Sequence, residues 1–215
     1  MLRKFSIHAI WPKKKTQVDR LSVSSSGADA FQVALLLRDL PLPPDVIPNI
    51  IDLAGFRAHA AAVANDCSQV VSERNSGIVH AVTPIPSHIH RPSIRSVIFT
   101  VTSHDQGWSW DKANHGTYQN SSTWFEAGLL LPQTSVPTLQ NCRRIITNVH
   151  ASKEDKMHRV EWFHDDPDPY IQLIFRRLRE GEAIGINVCA MFRGWQNLVQ
   201  QSSIAFTFQP VRKVP

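Results

Sequence analysis

The chain has 215 residues, of which 42% are hydrophobic and 19% charged, and its 23 Lys and Arg against 18 Asp and Glu give a net charge of +5. This is the balance of an ordinary globular protein long enough to bury a sizeable core. The basic excess is mild and scattered, so no nucleic-acid partner is expected, and no run of about 18 apolar residues is present to span a membrane.

The opening stretch, "MLRKFSIHAIWPKKK", is basic and carries no acid before Asp19. It has a faint likeness to a mitochondrial presequence and lacks the apolar region and cleavage site of a secretory signal. Its Lys13-Lys14-Lys15 run reads as a solvated tail. Cys67, Cys142 and Cys189 are odd in number and lack C-x-x-C spacing, which argues against a disulfide framework and a thiolate metal site. The expected location is intracellular, cytoplasmic or nuclear, with mitochondrial import as the lesser alternative.

Residues 1–30 end in the Ser- and Gly-rich "SVSSSGADA" and are expected to form a flexible arm. A helical section is expected over 31–80. "ADAFQVALLLRDL" (28–40) has the apolar density of a helix. In "LPLPPDVIPNIIDLAGF" (40–56), Val46, Ile47, Ile50, Ile51 and Leu53 recur at helical spacing after a Pro entrance. The Ala-rich "RAHAAAVANDCSQVVSER" (57–74) reads as a further helix. Three prolines in "VTPIPSHIHRPS" mark 81–93 as a linker or extended edge.

From residue 94 to 210 the apolar period changes from 3.6 to 2. "SVIFTVTSH" sets Val97, Phe99 and Val101 on one face. "STWFEAGLLL", "RRIITNVH", "MHRVEWF", "EAIGINVCAMF" and "SSIAFTF" alternate likewise. Inward positions are expected at His158, Val160 and Trp162, at Ile184, Ile186, Val188, Ala190 and Phe192, and at Ile204, Phe206 and Phe208. Trp124 and Trp162 are expected in the core. "DPDPYIQLIFRRLREG" (166–181) reads as a helical crossover with Tyr170, Leu173, Ile174 and Leu178 on its buried face and Gly181 as its stop. The expected fold is therefore mainly β, an antiparallel sandwich of jelly-roll or galactose-binding-like type, with an α-helical N-terminal section.

Chemistry-bearing motifs are sparse. There is no G-x-S-x-G and no Gly-rich phosphate cradle. His104, Asp105, His115, His150 and His158 lack the paired spacing of metal ligands on one element, and "HIH" (88–90) falls in the linker. No cofactor, no metal and no catalytic residue is assigned. What remains is aromatic. Trp108 and Trp110 follow a "DQG" turn in a polar loop, a composition suited to stacking on sugar rings or anchoring a protein partner. The candidate ligand-binding residues are His104, Asp105, Trp108, Trp110, Asn114, His115 and Tyr118, joined by Trp195 and Asn197 of the "RGWQN" turn.

"SHDQGWSWDKANHGTYQNSSTWFEAG" (103–128), "RRIITNVHASKEDKMHRVEWF" (143–163) and "LREGEAIGINVCAMFRGWQNLVQQSSIAF" (178–206) together resemble a domain of uncharacterised filamentous-fungal proteins. The shared motifs are D-Q-G-W-S, H-G-T-Y, T-W-F-E-A, N-V-H-A and G-W-x-N, over about residues 94–208. The resemblance implies a fungal source and a compact β domain; no activity is established for the family and no site residue is carried over. The stretch 39–56 is similar to the opening of an F-box, although Asp45 replaces the acidic Glu and no later Trp completes the motif. The function expected first is a non-catalytic binding or protein-interaction module with a protein or carbohydrate ligand. A ubiquitin-ligase-type adaptor with a degenerate F-box-like helix is the alternative. A carbohydrate-active enzyme using Glu126, Glu161, Asp105 or His104 comes third. Sequence sets no oligomeric state.

Overall fold

The computed structural model describes residues 27–43, 46–54, 58–59, 63–85, 94–131, 135–178 and 182–208. The Lys run, most of the N-terminal arm, the "HIH" of the linker and Gly181 lie outside them. Two antiparallel sheets face each other. In the first, β10 (Gln196–Phe208) runs centrally, pairs along one edge with β5 (Ile94–Asp105), and β5 pairs in turn with β8 (Lys156–Phe163). Along its other edge β10 takes three short strands end to end: β1 (Ala58–His59), β2 (Val63–Asn65) and β3 (Gln69–Ser72). The second sheet has the order β4 (Ile78–Pro84), β9 (Ala183–Ala190), β6 (Thr123–Leu130), β7 (Leu139–Thr147).

The alternation read from the sequence explains the core. Val97, Phe99 and Val101 of β5, Trp162 of β8 and Ile204 and Phe206 of β10 point into the space between the sheets. Phe125, Ala127 and Leu129 of β6 and Ile184, Ile186 and Val188 of β9 meet them from the other side. Trp162 sets its ring edge-on to Phe99 with centroids 4.8 Å apart, a favoured aromatic geometry. Helix α3 (Pro169–Arg177) starts on Asp168, whose carboxylate accepts from the Tyr170 N–H and from Arg143 of β7. Helices α1 (Gly27–Arg38) and α2 (Val46–Leu53) pack on one another.

Several expectations need correction. The described residues of 57–74 form no α-helix: they make up β1, β2 and β3 with a short connection, and Glu73 opens a 3-10 turn. Ala is the best helix former, but intrinsic propensities differ by less than about 1 kcal/mol per residue, and the open edge of the 13-residue strand β10 offers backbone partners that outweigh them. Of the two alternatives for 81–93, a linker or an extended edge, residues 81–84 take the second: they belong to β4 at the edge of its sheet, with Pro84 at its last position, where a missing N–H costs no interior ladder bond. On α3, Ile174 and Leu178 are buried as expected, but Ile171 and Phe175 join them in place of Leu173, which is half-buried, and Tyr170, which is exposed, giving a stripe at i, i+3, i+4, i+7. Phe192 lies beyond β9 with φ 72° and is exposed. Trp124 is half-buried on the outer face of β6, where its indole N–H donates to Glu126 and Arg144 stacks 4.3 Å from its ring.

Candidate functional site

The inward stripes change character at one end of the sandwich. On β5 the period of two runs on from Val101 to Ser103 and Asp105. Thr123 begins β6 on the same side as Phe125, and beyond β7 the parity of Ile146 continues through Asn148 to His150. On β10 a register shift between Val199 and Gln201 swaps parity, so Asn197 and Val199 face inward with Ile204 and Phe206. The result is a polar end to the core: Ser103, Asp105, Thr123, Asn148, His150 and Asn197 are all fully buried.

Each of these groups is paired, as burial requires. Asn148 Oδ1 accepts from Ser103 Oγ at 2.7 Å. Its Nδ2 donates to Asn197 Oδ1 at 2.9 Å and Thr123 Oγ1 at 3.1 Å, and reaches the His104 carbonyl at 3.3 Å. Asn197 Nδ2 donates to the carbonyls of Trp124 and Cys189. The Asp105 carboxylate accepts the N–H groups of Gly107 and Ala151, both at 2.7 Å. Burial raises the Asp105 pKa, and those N–H groups together with the nearby His150 oppose the rise.

Above this plug lies the loop 106–121, tied down through His150. The ring sets Nδ1 2.8 Å from the Gln119 carbonyl, which only accepts, so Nδ1 carries the proton and Nε2 accepts from Ser109 Oγ at 2.5 Å. Backbone bonds from Gly116 N–H to the His150 carbonyl and from His150 N–H to the Thr117 carbonyl complete the attachment. The Ser109–His150 contact is that of a nucleophile and its base, yet His150 is enclosed and Ser109 Oγ also accepts from the Asp111 N–H. It acts as a latch that fixes the loop.

The latched loop and the turn after β9 enclose a cleft of about 270 Å³ lined by Gln106, Trp108, Ser109, Trp110, Asp111, Arg193, Gly194 and Trp195. Trp195 stands edge-on to His150, with centroids 5.2 Å apart. Gly194 has φ +90°, and a Cβ there would face the Trp108 ring at 3.7 Å. That distance is ordinary van der Waals contact, so it is the left-handed turn, not the approach of Trp108, that calls for glycine. Trp108 is 52% and Trp110 91% exposed.

The nine candidate residues therefore separate. Trp108, Trp110 and Trp195 line the cleft. Asp105 and Asn197 lie beneath it with every polar atom turned inward. Asn114 donates to Asp111 Oδ2 at 2.7 Å, and His115 Nε2 lies 3.0 Å from the Ser109 carbonyl, so both brace the loop. His104 holds the Asp105 carbonyl through Nδ1 and sits 3.9 Å from Asp155. Tyr118 instead bonds His158 at 3.2 Å, under the Lys156 ammonium. Glu126 and Glu161 occupy the outer faces of opposite sheets, paired with Trp124 in one case and with Ser96 and Arg159 in the other. Among the described residues no group of three His, Cys, Asp or Glu converges to hold a metal ion.

The sequence places the expected recognition surface on the 104–118 loop and the 193–197 turn, which hold Gln106, Ser109, Asp111, Arg193 and Gly194 of the lining, although none of these five is among the nine candidates. The contiguity of 106–111 was the available signal, since one turn brings all of it to a single rim. No protein-family model matches the chain, and no curated protein matches it.

Proposed function

We propose that this chain is a non-catalytic binding or protein-interaction module, built on a jelly-roll or galactose-binding-like sandwich, with the cleft of Trp108, Trp110 and Trp195 as its recognition surface. The observation that carries this reading is Trp110, 91% exposed beside a concave cleft. An indole left in water forgoes a large burial gain, and partly exposed aromatics on a braced frame are typical anchors of binding surfaces. The bonds of Asp105, Asn148 and His150 hold that frame in place before any ligand arrives, which lowers the ordering cost of binding. Membership of the filamentous-fungal family belongs to the same proposal, as does an intracellular setting, which the three free cysteines support.

Affinity purification of the tagged full-length chain, read by quantitative mass spectrometry, tests the reading. The Trp108→Ala/Trp110→Ala double variant, shown folded by circular dichroism, is the control. A partner retained by the native chain and lost by the variant is expected. Equal recovery from both would remove the cleft from the interaction.

The adaptor is the second reading, and it rests on Leu36, Leu40 and Leu53, which α1, α2 and their connection leave exposed, Leu53 at 88%. Its signature is a set of ligase components that survives the double tryptophan substitution and disappears with Leu53→Asp.

A further inference from the structure

The polar inventory of the cleft narrows the ligand class, given the reading that this cleft is the recognition surface. Most lining groups are already spent within the chain. Gln106 donates through Nε2 to the Trp108 carbonyl and accepts through Oε1 from the Gln196 N–H. Ser109 is taken by His150 and Asp111. The Asp111 carboxylate is held by its Oδ2, which accepts from Asn114 at 2.7 Å and from Asn120 at 2.9 Å.

Two charged groups are left over, beside the indole N–H donors of Trp108, Trp110 and Trp195, which have no hydrogen-bond partner among the described residues. Asp111 Oδ1 has no partner among the described residues, and neither has the Arg193 guanidinium. The carboxylate accepts only, and the amides of Asn120 and Asn114 keep it ionised by lowering its pKa. The guanidinium donates only. An anionic ligand satisfies Arg193 and is repelled by Asp111; a cationic one meets the opposite conflict. A hydroxyl satisfies both, because it donates to the carboxylate and accepts from the guanidinium. Three of the eight lining residues are tryptophans, and an indole face takes the C–H face of a saturated ring. A volume of about 270 Å³ lies just below the usual range of ligand sites, which run from roughly 300 Å³ upward, and so suits a ligand of about one such ring. A protein partner calls for a broad patch of roughly 800 Å² instead.

We infer that the cleft binds a neutral pyranose, stacked on an exposed indole, with neighbouring hydroxyls clasped by Asp111 and Arg193.

The test is NMR titration of the ¹⁵N-labelled full-length chain, following the indole N–H signals of its six tryptophans. The probes are methyl glucopyranoside, methyl galactopyranoside and methyl mannopyranoside, with methyl glucuronide as the anionic comparison. At least one neutral glycoside is expected to shift the Trp108, Trp110 and Trp195 signals saturably while leaving Trp162 unmoved. Trp110→Ala, at an exposed position that the fold does not need, is expected to weaken that binding about tenfold or more, the equivalent of about 1.4 kcal/mol. Arg193→Gln is expected to weaken it severalfold. Methyl glucuronide is expected to bind less tightly than the glucoside. Silence of the indoles towards all three neutral glycosides overturns the inference, and so does tighter binding of the glucuronide. If the sugars fail while a protein partner is still lost on Trp108→Ala/Trp110→Ala, the sugar class falls and the recognition surface stands.

Discussion

Asn148 donates through Nδ2 to Oδ1 of Asn197 at 2.9 Å, and this bond joins the two sheets at the end that carries the tryptophans. Asn148 follows β7 of one sheet, and Asn197 lies on β10 of the other. Along most of their length the sheets meet through apolar side chains, which tolerate small slips, and a second polar joint lies at the β4 edge, where His80 bonds Ser202 Oγ of β10 at 2.7 Å. Here they meet through groups whose donors and acceptors allow one arrangement, so the end of the sandwich beneath the loop is fixed in register as well as packed.

Asn148→Ala tests the weight of that joint. The substitution removes the bonds to Ser103, Thr123 and Asn197 and leaves Ser103 Oγ and Asn197 Oδ1 buried without their partner. A buried group stranded in this way costs about 1–3 kcal/mol, so a loss of roughly 2–4 kcal/mol is expected in urea or guanidinium denaturation. The tryptophan fluorescence of the folded variant is also expected to change, as the loop loses its footing. A loss below about 0.5 kcal/mol, the size of an ordinary surface substitution, refutes the assignment of this network as the organiser of that end.

Much of this was legible in the sequence, for a physical reason. Six strands show a period of two because each has one face against the core, and all six form; Trp162 is inward as its neighbours Val160 and His158 indicate. Trp124 misled because size suggests burial. Its parity with Glu126 was the better guide, placing it opposite Phe125 and Ala127. The short strands β1, β2 and β3 could not be read locally, since what makes them strands is the edge of β10, more than a hundred residues away. The polar plug was half legible: the stripe from Val97 to Asp105 keeps its period, and a buried Asp at its end follows. The inward turn of Asn197 was hidden because the irregularity around Gln200 reverses the parity of β10.

The three thiols are expected to differ sharply in reactivity. Cys67 is exposed. Burial, aided by the charge of Glu126, raises the Cys142 thiol. The same two causes in the same order push Cys189 up to about 12. Because the thiolate is the reacting species, only about one Cys189 in 10⁴ is ionised near pH 8. Iodoacetamide with peptide mapping on the folded chain is expected to modify Cys67 first, Cys142 slowly, and Cys189 only after unfolding. Alkylation of Cys189 at the rate of Cys67 in the folded protein refutes its placement inside β9.

A pH dependence of stability is expected from His158. Its pKa is lowered from the ordinary 6.5, chiefly by burial and then by the charge of Lys156, while Tyr118 bonds its Nε2. A base with a depressed folded pKa holds fewer protons folded than unfolded. Its contribution is therefore complete above about pH 6.5 and is lost as pH falls through the folded value, because the unfolded chain takes the proton first. His158→Gln removes the titration while leaving an acceptor for the Tyr118 hydroxyl. Comparing denaturation at about pH 7.5 and about pH 5.5 isolates the effect from the other histidines, which both chains share. The native chain is expected to lose more stability over that interval than the variant. Parallel losses in the two chains mean that His158 titrates alike folded and unfolded, and that its burial beneath Tyr118 and Lys156 carries no electrostatic consequence.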